Sequence, residues 1–443
     1  MDTPILDFVR QYADSDVVRF HMPGHKGRNK LGCEQWDITE VHGADALYEA
    51  EGIIARSEEN AAVLFGSQRT LYSTEGSSQC IRAMLYLAIT NRRAGTAPVV
   101  VAARNVHKSF VYAAALLDIE IVWLWPEEND SLCGCPVSAK QLEETLEQMQ
   151  VCPAAVYLTS PDYLGGLTDI PAIARVCRKF GVLLMVDNAH GAYLKFLKPS
   201  LHPLDMGADI CCDSAHKTLA VLTGGAYLHI AKGAPVELAE HAKAAMALFG
   251  STSPSYLTLA SLDCCNADLA AGYPVRLQKM VEQISCVKSE LEEANWKTEE
   301  SDPLRITLRA PLGMTGTWLA QCLREEGIEC EYADNRFLVL MLTPDNDVKE
   351  LRILLKILGE NHAGQAAGKR LPKLCPKQSV SVRQAIFAPH EVVPVEEAVG
   401  RICGAPMVSC PPAIPIVVSG ECISGEALEW FRFYGVKQVD VLK

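Results

Sequence analysis

The sequence predicts an α/β fold in which helices cover a mostly parallel sheet, followed by a smaller α+β unit. Three observations carry that prediction. Between about residues 60 and 230, helical and strand patterns alternate. The strand segments in that stretch are continuous apolar runs, which marks strands buried on both faces. Beyond residue 295 the pattern changes to short strands set between amphipathic helices. The expected division is an N-terminal arm over 1–28, a large domain over 29–290, a small α+β domain over 291–362, and a linker with a C-terminal domain over 363–443.

The elements follow in order. RSEENAAVLFG (56–66) has helical spacing, and Gly76-Ser77-Ser78 opens a second helix through residue 95. APVVVAAR (97–104) is an apolar, β-branched run of strand length. KSFVYAAALLD returns to helix and IEIVWLWP (119–126) to strand. SAKQLEETLEQMQ is helical, PAAVYLTS (153–160) a strand, IPAIARVCRKFG a helix and VLLMVD (182–187) a strand. GADICCDSA (207–215) and GGAYLHIA (224–231) are short apolar runs without helical period. From Pro254 to Asn295 the pattern reads as one long helical stretch. RITLR then reads as a strand, TGTWLAQCLREEG as a helix, IECEYADNRFLVLML as a strand pair and DVKELRILLKILGEN as a helix. Residues 361–378 have linker composition, and 379–443 carry PPAIP and further short strands.

Composition narrows the function classes. With 443 residues, 49% hydrophobic and 21% charged, the chain is an ordinary globular one of two or three domains. A net charge of −13 argues against nucleic acid as the partner. No apolar run reaches the ~18–20 residues that cross a bilayer. The start, MDTPILDFVRQYADSD, lacks the pattern of a secretory signal, so a cytoplasmic enzyme is expected. The 17 cysteines offer neither a disulfide framework nor a good set of zinc pairs. Most read as small core residues of a reduced protein, and no metal site is expected.

Three places at strand ends carry chemistry, where an α/β sheet puts its ligands. The first is Ser73-Thr74-Glu75-Gly76-Ser77-Ser78, a glycine turn into a helix start that suits a phosphate. The second is Asp187, which closes an apolar strand and precedes Asn188-Ala189-His190-Gly191. The third is Lys217, thirty residues later, between an apolar strand and a glycine-rich stretch. Each alone also has a plain structural meaning: a serine N-cap, a carboxylate satisfied by its own turn, a surface lysine. Together, with the flat ring of His107, they supply what pyridoxal phosphate needs. The phosphate takes donors, the ring a stacking partner, the pyridine nitrogen a carboxylate and the aldehyde an amine. Lys108 is a rival amine, but it precedes the acid and opens a helix.

The stretches HMPGHKGR (21–28), DITEVHGADALYEAEGII (37–54), STEGSSQCI (73–81), RNVHKS (104–109), VDNAHGAY (186–193), DSAHKTLAVLTGGAYLH (213–229), STSPSYLTLASLD (251–263) and EAVGRI with PPAIPIVVSGE (397–421) resemble one family in its own order. It is the Orn/Lys/Arg decarboxylase family of fold-type-I, aspartate aminotransferase-like pyridoxal phosphate enzymes, in its short bacterial form. The resemblance implies that Lys217 carries the Schiff base, Asp187 meets the ring nitrogen and His107 stacks on the ring. It places Gly76, Ser77, Ser78, Ser214 and His216 around the cofactor and His190 in the pocket. It implies a homodimer with the active site at its interface, near HMPGHK, with Ser253 to Tyr256 completing the partner's phosphate site. For the distal cation of a basic substrate it suggests Glu421, then Asp45; a solvated turn is the other reading of Glu421.

The reaction class follows from which bond stands perpendicular to the cofactor ring. If it is the Cα–carboxylate bond, CO2 leaves; if Cα–H, the outcome is transamination or racemisation. The residues leave that choice open, with an aminotransferase, a lyase or a silent cofactor-binding paralogue as alternatives. The resemblance implies decarboxylation of arginine, lysine or ornithine, the entry chemistry of polyamine biosynthesis. The chain departs from the family pattern in four places: Glu75 for Asn, Asn188 for Glu, Ala220 and Gly224 after the lysine, and Ser409-Cys410-Pro411-Pro412-Ala413 in place of PYPPG.

Overall fold

The computed structural model describes residues 1–92, 96–126, 131–360, 371–406 and 412–443. The linker residues 361–370 and Ser409, Cys410 and Pro411 lie outside the described residues.

The chain begins with α1 (Pro4–Ala13), α2 (Ile53–Phe65), β1 (Arg69–Ser73), α3 (Ser77–Thr90), β2 (Ala97–Ala103), α4 (Lys108–Leu117) and β3 (Glu120–Leu124). There follow α5 (Ala139–Gln148), β4 (Pro153–Thr159), α6 (Ile170–Phe180), β5 (Leu183–Asp187), α7 (Pro203–Met206), β6 (Ile210–Asp213), α8 (Ala215–Thr218) and β7 (Ala226–Ile230). Next come α9 (Val236–Leu248), α10 (Tyr256–Ala271), α11 (Tyr273–Glu293), β8 (Lys297–Thr298), β9 (Arg305–Arg309) and α12 (Gly316–Glu325). The last elements are β10 (Tyr332–Ala333), β11 (Phe337–Met341), α13 (Val348–Glu360), α14 (Val382–Phe387), β12 (His390–Pro394), α15 (Gly425–Phe433) and β13 (Gln438–Leu442). Strands β1 to β7 form the mostly parallel sheet that the apolar runs predicted.

Two compact units divide the chain: residues 1–97, 154–157 and 170–275, and residues 98–153, 158–169 and 276–443. In the first, β5 and β6 pair in parallel, and β7 runs antiparallel to both β6 and β1. Strands β6 and β7 are buried along their whole length, which is why they carry continuous apolar sequence. In the second unit β2 and β3 pair in parallel. The same unit holds a four-stranded sheet in the order β10-β11-β9-β8 and the β12-β13 ribbon. A core around Trp430, Phe431, Ile416, Val417 and Val441 backs that ribbon.

The structure differs from the sequence expectation in three places. The long helical pattern after Pro254 is two helices, broken at Gly272. Glycine is a poor helix residue, and Pro274 has no N–H to continue the ladder. The C-terminal segment expected as short strands also holds α14 and α15. Both are short, and each starts at a capping serine, Ser381 and Ser424. Finally, of the 16 described cysteines, all free, eight are buried and five exposed, so the core accounts for half of them.

Helix α1 is held by a distant carboxylate. Its first residue, Pro4, has no N–H to satisfy, and its N-cap, Thr3, makes no side-chain cap. The next two N–H groups, of Ile5 and Leu6, both donate to Asp263 Oδ2 in α10, at 2.9 and 3.0 Å. Asp263 Oδ1 accepts the hydroxyl of Ser57 in α2, so one side chain ties three helices. Burial pushes this carboxyl above its usual range, opposed by those hydrogen bonds. Asp263→Ala leaves two buried donors unmet and is expected to cost about 1–3 kcal/mol. A urea unfolding curve coincident with that of the native protein would show that α1 needs no such cap.

Candidate active site

The site in the first unit is assembled from the ends of β1, β5 and β6. After β1 the chain turns at Gly76, whose φ of +72° lies in the left-handed region. Its N–H donates to the carbonyl of Gly224 at 2.7 Å. Gly224 has φ of +96°, and a Cβ there would stand 2.6 Å from the carbonyl oxygen of Thr74. The turn before α3 and the turn after Lys217 thus meet backbone to backbone. Two glycines permit this approach. With Gly76 at its N-cap, α3 begins without a side-chain cap, and its first turn presents Ser77 and Ser78.

Asp187 closes β5 and is 2% exposed. Tyr157 Oη donates to its Oδ2 at 3.1 Å and the Ala189 N–H to its Oδ1 at 3.1 Å. Burial pushes its carboxyl up, and the Lys217 ammonium pulls it back down. Lys217 lies in α8, one turn past the end of β6, and its Nζ is 2.9 Å from His190 Nε2. His216 Nδ1 donates to the Gly225 carbonyl at 3.0 Å, and burial lowers the pKa of the ring. Its Cε1 is 4.0 Å from where a Gly76 Cβ would stand. Ser214 is 1% exposed, and its Oγ has no hydrogen-bond partner among the described residues.

Eight of the residues expected around the cofactor therefore lie in one unit: Gly76, Ser77, Ser78, Asp187, His190, Ser214, His216 and Lys217. Ser78 follows Ser77 in the same helix start. His107 belongs to the second unit, as the N-cap of α4, where its Nδ1 accepts the Ser109 N–H at 3.2 Å. Lys108, the rival amine, opens α4 in that unit, and its N–H donates to the carbonyl of Ala413 at 3.0 Å.

The two candidates for a substrate cation are already engaged. Asp45 accepts the N–H groups of Glu51, Gly52 and Ile54 and so caps α2. Glu421 is 1% exposed rather than a solvated turn residue. Its Oε2 accepts from Arg104 Nη2 at 3.1 Å and from the Val418 N–H at 2.6 Å. Arg104 also donates to the carbonyls of Pro415 and Ile416, and its guanidinium is 5.0 Å from the ring centres of both Trp123 and Trp125. The histidines of HMPGHK have partners too, His21 in Tyr12 and His25 in Asp37. In the SPSY stretch, Ser255 caps α10 and Tyr256 donates to the carbonyl of Asp45, whereas Ser253 is exposed.

Sequence reasoning missed Tyr157, Arg104 and a polar cluster at Asp213. Arg104 had a signal as the first residue of RNVHKS, and so did Asp213 and His229, the first and last residues of DSAHKTLAVLTGGAYLH; Tyr157 had none. The departure at 413 acquires a physical meaning, because Ala413 has φ of +59°, a conformation that glycine adopts freely.

The fold is that of the fold-type-I pyridoxal phosphate enzymes. A lysine decarboxylase of Francisella novicida, LdcF, superposes with a TM-score of 0.81 at 18% identity, covering 100% of this chain and 81% of its own. The constitutive lysine decarboxylase of Escherichia coli gives 0.80 at 20% identity, covering 100% and 82%. In sequence, an arginine decarboxylase of Halalkalibacterium halodurans is 28% identical, covering 97% of this chain and 93% of that protein. Residues 3–308 match the Orn/Lys/Arg decarboxylase major domain and residues 362–438 the C-terminal domain of the same family. This chain belongs to the Orn/Lys/Arg decarboxylase family.

Two substitutions test the second-unit geometry. Glu421→Gln strands the buried Arg104 without its anion and is expected to cost about 3–5 kcal/mol, read as a lower thermal midpoint of the substrate-free protein. An unchanged midpoint with a raised KM would instead mark Glu421 as a substrate ligand. Ala413→Gly relieves a left-handed residue and is expected to raise stability by about 1 kcal/mol; a lower midpoint would refute that.

Proposed function

We propose that this chain decarboxylates a basic amino acid with pyridoxal phosphate bound at Lys217. The observation that carries the reading is the grouping, in one unit, of a lysine amine 2.9 Å from an imidazole with a buried strand-end carboxylate. The residues present fit the cofactor. The orphaned Ser214 Oγ and the uncapped start of α3 are donors suited to a phosphate. Asp187, desolvated and raised, is suited to a cationic heterocycle. When bound, the cofactor supplies a ring that accepts the electron pair left as the Cα–carboxylate bond breaks.

The chain's own groups do the rest. His190 Nε2 accepts a proton from Lys217 Nζ, leaving the amine nucleophilic, and returns it afterwards. Asp187 would hold a proton on the ring nitrogen of the bound cofactor, and Tyr157 and the Ala189 N–H fix its oxygens. The hydrogen bond between Gly76 and Gly224 keeps the phosphate turn and the lysine turn at constant separation. Arginine is the first substrate to assay, because the relative from Halalkalibacterium halodurans that matches over 93% of its length carries that name.

A homodimer is part of the same reading. The segment from Val17 to Leu31 exposes Val18 (71%), Phe20 (94%), Met22 (69%) and Leu31 (88%), an apolar surface of the kind that a second copy covers. Among the described residues no helix is long and apolar enough to cross a membrane.

Cofactor-loaded protein incubated with arginine, lysine or ornithine is expected to release CO2 and the matching amine, identified by mass. Lys217→Ala is expected to lose the visible band of the loaded lysine and all turnover. Asp187→Asn is expected to keep the cofactor and lose about 10²–10³-fold in kcat, as when a charge-stabilising group is removed. Keto-acid formation in place of amine would assign a transaminase. A native protein that takes up no cofactor would end the proposal.

A further inference from the structure

A polar cluster behind the lysine turn has no part in the chemistry above. Asp213 ends β6, four residues before Lys217, and is fully buried. Its Oδ2 lies 3.0 Å from His202 Nε2 and 3.2 Å from His229 Nε2. Its Oδ1 accepts the amide of Asn188 at 2.7 Å. His202 Nδ1 accepts the Leu204 N–H, which leaves that ring's proton on Nε2, and His229 Nδ1 is 2.8 Å from the Thr70 hydroxyl, which can donate to it; both Nε2 atoms face a carboxylate oxygen, an acceptor. Both rings therefore donate from Nε2. Burial pushes the Asp213 carboxyl up, but the two histidines outweigh it and hold the group well below the usual carboxylate range.

Asn188 links this anion to the site. It directly follows Asp187, and its own N–H donates to the carbonyl of Cys212 at 2.9 Å, just past the Asp187–Cys212 register of β5 and β6. One hydrogen bond, Asn188 to Asp213, thus joins the residue after the ring-facing acid to the residue that starts the lysine turn. A metal is the rival occupant, since donor atoms of His202, Cys211 and Asp213 lie within 4.8 Å of one another. The geometry favours hydrogen bonds. Both Nε2 protons already point at Asp213, and burial pushes the Cys211 thiol well above its usual range, away from the thiolate a metal needs.

We propose that Asp213 is a positioning residue and Asn188 its matched partner, the pair fixing the separation of Asp187 from Lys217. This rests on the cofactor reading above. The pairing needs one donor and one acceptor. Asp213→Asn turns an amide against an amide once the histidines have claimed its oxygen. Asn188→Asp sets carboxylate against carboxylate. The double exchange, Asn188→Asp with Asp213→Asn, restores donor to acceptor with the direction reversed.

The test compares native protein, both single variants and the exchange, all loaded with pyridoxal phosphate. It reads visible circular dichroism per bound cofactor, kcat and KM separately, and bound metal by elemental analysis. Each single variant is expected to change the visible dichroism and to lower kcat by about 10–100-fold, the scale of a small misplacement, with KM within about threefold. The exchange is expected to recover most of both signals. An exchange no better than either single variant, or one that does not fold, overturns the proposal. So do stoichiometric metal in the native protein and variants whose only change is a lower thermal midpoint. Native protein that binds no cofactor would fail the functional reading itself, a distinct result.

Discussion

A carboxylate taken out of water must be met by donors, and that constraint shapes both units of this protein. Asp187, Asp213, Asp263 and Glu421 are all nearly or fully buried, and each is met differently. Asp187 has a phenol and a backbone N–H, Asp213 two imidazoles and an amide, Asp263 two helix-start N–H groups, and Glu421 a guanidinium. Asp213 is fully compensated and stays an anion, whereas the carboxyl of Asp187 is pushed up by burial. Such a group gains most from a cation brought by a ligand. Two acids at the ends of paired strands thus differ in how far the chain itself compensates them.

The fold was legible in the sequence wherever burial was two-sided or helical spacing was long. β4, β5 and β6 announce themselves because both faces meet apolar layers, and α3 and α6 because their apolar stripes are regular. The C-terminal helices were not legible, since α14 and α15 have six and nine residues, too few for a period to show. The break at Gly272 was lost for the opposite reason, two good helices running on with only Gly272 between them and Pro274 in the first turn of the second.

At the candidate site, the residues that the structure brings into one unit had a local signal: a lysine after a strand, an acid at a strand end, serines after a glycine turn. Residues that act through partners far along the chain were not. Arg104 and Glu421 are 317 positions apart, and Tyr157 and Asp187 are 30 apart. Nothing local marks either pair. The departures from the family pattern also gain reasons only in three dimensions. Asn188 presents an amide where a second acid would oppose Asp213. Glu75 accepts the N–H of Ser251, tying the turn before α3 to the segment before α10.

The cap on α1 also has a consequence for synthesis. Ile5 and Asp263 are 258 positions apart. At ribosomal speeds of about 5–20 residues per second, the first helix waits roughly 13–50 s for the side chain that receives it. Through that interval Ile5, Leu6 and Val9 have no finished surface to cover them, so the nascent chain offers chaperones an apolar handle until α10 has emerged.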